Sequence, residues 1–330
     1  MNQTAVDKLA EDILLLLREP QGSIVPLGEL AAKCMVSLLE INGGLARLGE
    51  WGYEFNITTT DACLMAIPDV LTETEISYGL NTNSIGNRIL AYRRVGSTND
   101  LAAERANEGA DNGTVIIAEE QTKGRGRLGR HWYSAPSSGA YLSILLRPPF
   151  TPDRAPGVSL LTGLALIECL QSYCPGAVQI KWPNDVYING KKVAGILTEL
   201  SAESDNIHHL VVGMGININQ TDSDFPTEIS HLATSVSIAC GREINRIELV
   251  RTFLQKFETE YESFCTDGLT GCIDRLRRYS YLNGRQVTLV SGNRTIEGKA
   301  VGIGPDGALL VEKDGETMAI TCGEVTVTNH

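Results

Sequence analysis

The apolar residues of this chain change their spacing twice along its length, and that change limits the folds open to it more than any single motif does. Near the N-terminus Leu9, Ile13, Leu16 and Leu17 recur at helical intervals until Pro20 and Gly22 interrupt them. A 3.6-residue repeat brings those positions to one face, so a helix over residues 5–17 is expected. A short second helix is expected over residues 27–34. A third starts after Ser37, whose hydroxyl can cap it, and carries Leu39, Ile41, Leu45 and Leu48. Tyr53, Phe55 and Ile57 then alternate as a strand does. From Ile89 the pattern turns to short continuous apolar runs at 113–118, 141–146 and 210–212, the signature of buried strands. Helical stretches at 99–108, with Ser97 as candidate cap, 157–173 and 246–264 separate them. Beyond Leu282, strand-like segments at 287–290, 295–302, 308–312 and 318–321 are divided by Gly or Asp-Gly turns.

These regimes predict an α+β chain of three domains. Residues 1–85 have the helix, helix, helix and strand order of a winged helix-turn-helix. Residues 86–282 form a mixed α/β domain, and residues 283–330 a small β-barrel of SH3 type. Residues 68–87, polar and carrying Gly79 and Gly86, suit a connector. A length of 330 residues exceeds one ordinary core, which agrees with several. With 42% hydrophobic and 21% charged residues, the chain can bury enough apolar surface to offset chain entropy, which excludes wholesale disorder. Acidic residues precede the apolar run at 13–17, and no basic region or small-residue cleavage site accompanies it, so a cytoplasmic protein with no membrane association is expected. The eight cysteines show neither CxxC pairing nor zinc-ligand spacing, which predicts reduced thiols in or near cores and no resident metal site.

A net charge of −12 argues against a uniformly nucleic-acid-binding surface. Against that background Lys123, Arg125, Arg127 and Arg130 cluster within eight residues, interleaved with glycines. In Gly124-Arg125-Gly126-Arg127-Leu128-Gly129-Arg130 the glycines let backbone amides approach a ligand, and the guanidinium forks match carboxylate and phosphate oxygens. The segment lacks the GKS or GKT ending of an ordinary nucleotide-binding loop. A small anionic ligand is the expectation. A second segment is Lys181-Trp182-Pro183-Asn184-Asp185, followed by Lys191-Lys192-Val193-Ala194-Gly195-Ile196-Leu197-Thr198-Glu199. Here Asn184-Asp185 suits a turn, Gly190 marks a hairpin, and Lys192 opens a strand. A lysine there is ordinarily solvated, Asp185 is equally a turn former or a functional carboxylate, and Trp182 reads as core. The third segment, Gly213-Met214-Gly215-Ile216-Asn217-Ile218-Asn219, ends an apolar strand with small residues and two amides.

In this order and spacing the three segments closely resemble the catalytic domain of bacterial biotin protein ligases. Gly96-Ser97-Thr98-Asn99, Gln121, Trp132, Gly307-Ala308-Leu309-Leu310-Val311 and Gly323-Glu324 extend the resemblance over roughly residues 90–326. It implies ATP-dependent formation of biotinyl-AMP, in the presence of Mg2+, and transfer of biotin to a lysine of a carboxylase's biotin carboxyl carrier domain. By resemblance Ser97, Thr98, Asn99 and Gln121 surround the biotin head group. Arg125, Gly126 and Arg127 hold the carboxylate and adenylate phosphate, with Gly124, Arg130 and Gly195 also in the binding set. Lys192 faces the reacting carboxyl and α-phosphate, so Lys192, Arg125 and Arg127 are the catalytic candidates. Lys181, Asn184 and Asp185 shape the nucleotide or metal side, Trp132 packs beside the adenine pocket, and Asn217 adds an adenylate contact. On local grounds, Ser97 could merely cap a helix, and Gln121 and Asn217 could satisfy backbone groups. The family also includes bifunctional ligases that repress transcription, and the sequence leaves both a monomer and a homodimer open. A related fold serves lipoate ligases, and the glycine-arginine loop with Lys181-Trp182-Pro183-Asn184-Asp185 favours biotin.

The N-terminal region departs from the DNA-binding members. Leu45-Ala46-Arg47-Leu48-Gly49-Glu50-Trp51-Gly52-Tyr53 resembles their scaffold, yet the segment where a recognition helix carries cations reads Ser37-Leu38-Leu39-Glu40-Ile41-Asn42-Gly43-Gly44. The wing position, Thr58-Thr59-Thr60-Asp61-Ala62-Cys63, has neither glycine nor lysine. Residues 1–85 hold four Lys and Arg against twelve Asp and Glu, an excess of eight negative charges that opposes DNA association.

Overall fold

The computed structural model describes residues 3–18, 22–292 and 294–328. The chain forms two compact units, Met1–Tyr78 and Gly79–His330. The first unit contains α1 (Gln3–Arg18), β1 (Val25–Pro26), α2 (Leu27–Cys34), α3 (Leu38–Glu50), β2 (Glu54–Ile57), β3 (Asp61–Ala66) and α4 (Glu73–Ser77). Its three strands form an antiparallel sheet in the order β1-β3-β2. Leu9, Ile13, Leu14 and Leu17 of α1 meet Leu30 of α2 and Ile41, Leu45 and Leu48 of α3 in one buried cluster, so the helical period of the sequence becomes the core. Ser37 caps α3 through a capping box: its Oγ accepts from Glu40 N at 3.3 Å, and Glu40 Oε2 accepts from Ser37 N at 2.8 Å. The segment read as a connector contains a short helix. Thr72 Oγ1 accepts from Glu75 N at 3.1 Å and starts the short helix α4.

The second unit runs β4 (Ile89–Tyr92), α5 (Thr98–Asn107), β5 (Val115–Ala118), β6 (Gly139–Leu146), α6 (Ala155–Leu170), β7 (Val178–Lys181), β8 (Asp185–Ile188), β9 (Lys191–Glu203) and β10 (Asn206–Asn217). It continues with α7 (Val236–Cys240), α8 (Arg246–Asp267), α9 (Ile273–Tyr279), β11 (Gln286–Ser291), β12 (Arg294–Ile303), β13 (Leu309–Lys313), β14 (Glu316–Ile320) and β15 (Glu324–Val327). A seven-stranded sheet has the order β4-β5-β6-β10-β9-β8-β7, antiparallel except for the β4–β5 pair. The last five strands form an antiparallel sheet ordered β14-β13-β12-β11-β15. The chain is thus a mixed α/β protein with a β-rich C-terminal part. No helix among the described residues is long and apolar enough to cross a membrane.

Strand alternation decides which side chains of the large sheet face each layer. On β9, Ile196 lies against Gly163 of α6, and Thr198 Oγ1 is 2.7 Å from Ser159 Oγ of the same helix. The flanking Gly195 and Glu199 therefore point to the other face, towards Trp132 and Asn99. On β10, Gly213 and Gly215 share that face, again against Asn99 and Trp132. β15 was not anticipated from its four residues. It pairs with β11, far away in sequence, and local periodicity over so short a run does not distinguish a strand from a loop.

Candidate active site

The face carrying Gly195, Gly213 and Gly215 floors a cavity of about 260 Å³. These glycines are required by close approach: a Cβ on Gly213 would overlap the Asn99 amide, and one on Gly215 would overlap the Trp132 indole. A Cβ on Gly195 would lie 2.9 Å from Trp132 Cζ3 and 3.2 Å from Lys192 Nζ. The sheet thus leaves a flat recess that an aromatic ring and a lysine occupy.

One end is built by the start of α5. Ser97 occupies its N-cap position but makes no side-chain capping bond, so the cap expected of it is absent. Thr98 donates twice to Gln121 Oε1, from N at 2.8 Å and from Oγ1 at 3.0 Å, and Gln121 Nε2 donates to Ser134 Oγ at 3.2 Å. Ser143 Oγ sits 2.8 Å from Thr98 Oγ1 and 2.6 Å from Asn99 Oδ1. Asn99 Nδ2 donates to Glu199 Oε2 at 2.6 Å. This largely buried chain of polar groups holds six side chains in one orientation and leaves little freedom for a slack pocket.

The glycine-arginine segment folds into a tight loop over the cavity. Gly126 N donates to Arg130 O at 2.7 Å and Trp132 N to Gly124 O at 3.0 Å, while Leu128 adopts a left-handed φ of 56°. Each arginine then has its own anchor. Arg125 donates from Nη1 to Asp100 Oδ1 at 2.6 Å and from Nη2 to Glu199 Oε1 at 3.1 Å. The Asp100 bond, outweighing burial, raises its already high pKa and keeps it cationic. Arg127 donates to Asn184 Oδ1 and to Gly323 O, both at 3.2 Å. Arg130 pairs with Glu324 at 2.6 Å.

The opposite wall comes from the turn between β7 and β8 and from the start of β9. Asn184 Nδ2 donates to Ile196 O at 2.8 Å, and Ile196 N donates to Asn184 O at 2.9 Å, which locks the turn onto β9. Asp185 opens β8 rather than closing the turn. Its Oδ1 stands 2.7 Å from Lys192 Nζ, an ion-pair contact without directed hydrogen-bond geometry, and Lys192 Nζ lies 5.4 Å from the Trp132 ring centroid. Lys192 is therefore paired, not freely solvated. Lys181 Nζ donates to Tyr187 OH at 3.2 Å, and burial lowers its pKa despite nearby Asp185. Trp182 is core: it is 2% exposed, with Nε1 donating to Gly307 O.

Five cations line the cavity, Arg125, Arg127, Arg130, Lys181 and Lys192, against two carboxylates, Asp185 and Glu324. Counting also Asp100 and Glu199, which pair with Arg125, the five cations exceed the carboxylates by one, and that positive balance in a chain of net charge −12 suits an anion. Trp132 Nε1 is buried against Gly215 and has no hydrogen-bond partner.

Of the residues singled out in sequence, Ser97, Thr98, Asn99, Gln121, Arg125, Gly126, Arg127, Arg130, Trp132, Lys181, Asn184, Asp185, Lys192 and Gly195 line this cavity. Gly124 lies beneath the loop, where a Cβ would stand 2.6 Å from Trp132 O. Asn217 is outside the lining; it is buried, and its Nδ2 donates to Thr234 O at 3.1 Å, which is the backbone-satisfying role. Sequence reasoning missed Asp100 and Glu199, although one follows Asn99 directly and the other ends the quoted strand segment. It also missed Val325 and Thr326, contributed by β15.

Residues 91–217 match the model of the biotin/lipoate A/B protein ligase family, and residues 283–327 match that of the biotin protein ligase C terminal domain. The bifunctional ligase/repressor BirA of Bacillus subtilis is 38% identical over 249 residues, covering 76% of this chain and 77% of the relative. The biotin--[acetyl-CoA-carboxylase] ligase of Mycobacterium tuberculosis is 32% identical over 237 residues, 70% of this chain and 86% of the relative. A solved biotin protein ligase from Aquifex aeolicus in complex with biotin and ATP superimposes with a TM-score of 0.65 at 31% identity, covering 74% of this chain and 100% of that one.

Proposed function

The chain belongs to the biotin/lipoate A/B protein ligase family, and on that premise we propose a role for each wall of its pocket. The protein is a biotin protein ligase that joins biotin to ATP as biotinyl-AMP and passes the acyl group to a lysine of a biotin carboxyl carrier domain. The observation that carries the assignment of the site is the convergence of three separate sequence segments, with five cations, on one cavity.

In the first step a biotin carboxylate oxygen bonds to the α-phosphorus of ATP and pyrophosphate leaves. Two anions must meet, so fixed positive charge is worth most where they touch. Arg125, anchored on Asp100 and Glu199, and Arg127, anchored on Asn184 and Gly323 O, present planar donors to the carboxylate and the phosphate. Lys192 lies between Asp185 and Trp132 and supplies a compact charge to the same oxygens. Thr98, Asn99 and Gln121 bind the polar head of biotin, Trp132 packs beside the adenine, and Lys181, Asn184 and Asp185 shape the phosphate side. In the second step the neutral carrier lysine amine bonds to the acyl carbon, the acyl–oxygen bond to the phosphate breaks, AMP leaves and the amine proton passes to solvent, while the same cations stabilise the departing phosphate. Mg2+ enters with ATP as part of the substrate: the described residues contain no cluster of three metal-ligating side chains, whereas Mg2+ ordinarily needs only one or two carboxylates beside phosphates and water.

Incubating the pure protein with ATP, Mg2+ and labelled biotin or lipoate tests the assignment. Biotinyl-AMP is the expected product; lipoyl-AMP alone, or no acyl-adenylate, overturns it.

The finer domain reading rests on element order. Residues 1–85 suit a winged helix-turn-helix, 86–282 the ligase domain, and 283–330 a barrel of SH3 type. The relative named as a ligase/repressor favours a second reading in which the first unit binds operator DNA. Against it stand the exposed Leu38 and Leu39 and the half-buried Glu40 at the start of α3, and a turn before β3 in which Asp61 accepts from Thr60 Oγ1. A ligase that does not bind DNA is the reading preferred here.

A further inference from the structure

Two of the eight cysteines, remote in sequence, meet in the fold. Cys174 follows α6 and precedes β7, whose last residue is Lys181; Cys240 is the last residue of α7. Their Sγ atoms are 2.7 Å apart, although 66 positions separate them. Both are free thiols, Cys174 buried and Cys240 partly exposed. We propose that Cys174 and Cys240 form a reversible disulfide by exchange with a small disulfide such as oxidised glutathione, fastening the segment that carries Lys192.

The geometry supplies the first argument. A disulfide holds its sulfurs about 2.05 Å apart, so closing this pair needs a shift of roughly 0.7 Å, within the reach of side-chain rotation. Both residues also end or follow helices, where small backbone adjustments are least resisted. Cys174 N donates to Leu170 O at 2.9 Å, and Gly241 closes α7 in a left-handed conformation with φ of 70°.

Connection to the site supplies the second. The segment leading into α7 is strapped to the start of β9: Lys192 N donates to Leu232 O at 2.8 Å, and Thr234 N donates to Lys192 O at 2.9 Å. Ser235 Oγ donates to Gln220 O at 2.6 Å, continuing the strap into α7. A covalent bond at Cys240 therefore anchors the far end of the strap to the base of β7.

The exchange balances as two displacements. The Cys240 thiol, the more accessible, loses its proton to solvent, and its sulfur attacks the small disulfide. An S–S bond forms, the original one breaks, and one thiolate leaves. The Cys174 thiol, whose pKa burial raises to about 12, then passes its proton to the departing thiolate as its sulfur attacks Cys240 Sγ in the mixed disulfide, and the second small thiol leaves. Two cysteines are oxidised, and one small disulfide is reduced to two thiols.

The full-length protein is equilibrated in glutathione buffers of graded oxidised fraction, quenched with acid, alkylated under denaturing conditions and mapped by mass spectrometry. A peptide linking Cys174 to Cys240 is expected, with the other six cysteines alkylated, and dithiothreitol abolishes it. In Cys174→Ser, Cys240 is expected to remain as the glutathione mixed disulfide. Hydrogen exchange at the Lys192 and Thr234 amides is expected to slow by about tenfold in the oxidised protein. The proposal is overturned if both thiols stay alkylatable in oxidised buffer, if wild-type protein stops at the mixed disulfide, or if the crosslink forms without slowing those amides. Circular dichroism of Cys174→Ser and Cys240→Ser establishes that each variant is folded before its thiols are counted.

Discussion

Replacing Lys192 with alanine removes one of the charges assigned to the proposed reacting centre and little else. Its side chain is 32% exposed and its partner Asp185 20%, so their ion pair contributes at most about 1 kcal/mol to folding. The strap bonds to Leu232 and Thr234 use the backbone of residue 192 and survive the change. For catalysis the scale differs. A unit charge about 4 Å from a developing negative charge, at an effective dielectric constant near 20, contributes about 4 kcal/mol. Partial solvent exposure and competition from Asp185 reduce this to roughly 3 kcal/mol, about a hundredfold in rate. Single-turnover formation of labelled biotinyl-AMP by Lys192→Ala is therefore expected to fall by about two orders of magnitude, with an unfolding midpoint close to that of the parent protein. Part of the loss could come from the stranded Asp185 carboxylate, which Lys192→Ala combined with Asp185→Asn separates: the double variant is expected to stay slow. Adenylation within threefold of the parent by a folded Lys192→Ala protein would falsify the role assigned to this side chain.

Arg125→Ala and Arg127→Ala each remove a planar donor from the anionic end of the pocket, so biotinyl-AMP is expected to dissociate about ten to a hundred times faster. Release rates equal to the parent value in both variants would refute the clamp. Glu258 accepts hydrogen bonds from the backbone N–H groups of Asn83, Ser84 and Ile85 and from Ser84 Oγ. Burial raises its pKa, but those bonds outweigh it and leave the value below the ordinary 4.5. A depressed carboxylate pKa stabilises the fold above the unfolded value and loses that contribution as pH falls through the folded one. Glu258→Gln is thus expected to cost about 2 kcal/mol at neutral pH in urea unfolding. The gap from the parent narrows as pH drops below 4.5, and a gap that stays constant contradicts the argument. For the first unit, a mobility-shift titration with the protein's own upstream DNA, run with biotin and ATP at several salt concentrations, is expected to yield no specific complex. Submicromolar binding at physiological salt would restore the repressor reading.

Much of this protein was legible in its residues because the relevant physics is local. The helical repeat of Leu9, Ile13 and Leu17, the Ser37 and Glu40 capping box, and the extended runs that became β5, β6 and β10 depend on neighbours a few positions away. The glycine-arginine loop announced an anion site for the same reason: its composition alone sets how closely a backbone can approach a ligand. What the residues left open was decided by strand pairing across long separations. Asp100 and Glu199 acquire their role because α5 and β9 bring them to Arg125 from 25 and 74 positions away. Gly215 matters because β10 lies beneath Trp132, and Asn217 leaves the site because the strap at Thr234 takes its amide. β15 joins the cavity only through its pairing with β11, and Cys174 meets Cys240 only where α6 and α7 end side by side. A side chain's chemistry is written in its own residue, but its partner is set by the packing of the whole sheet, which no short window of sequence contains.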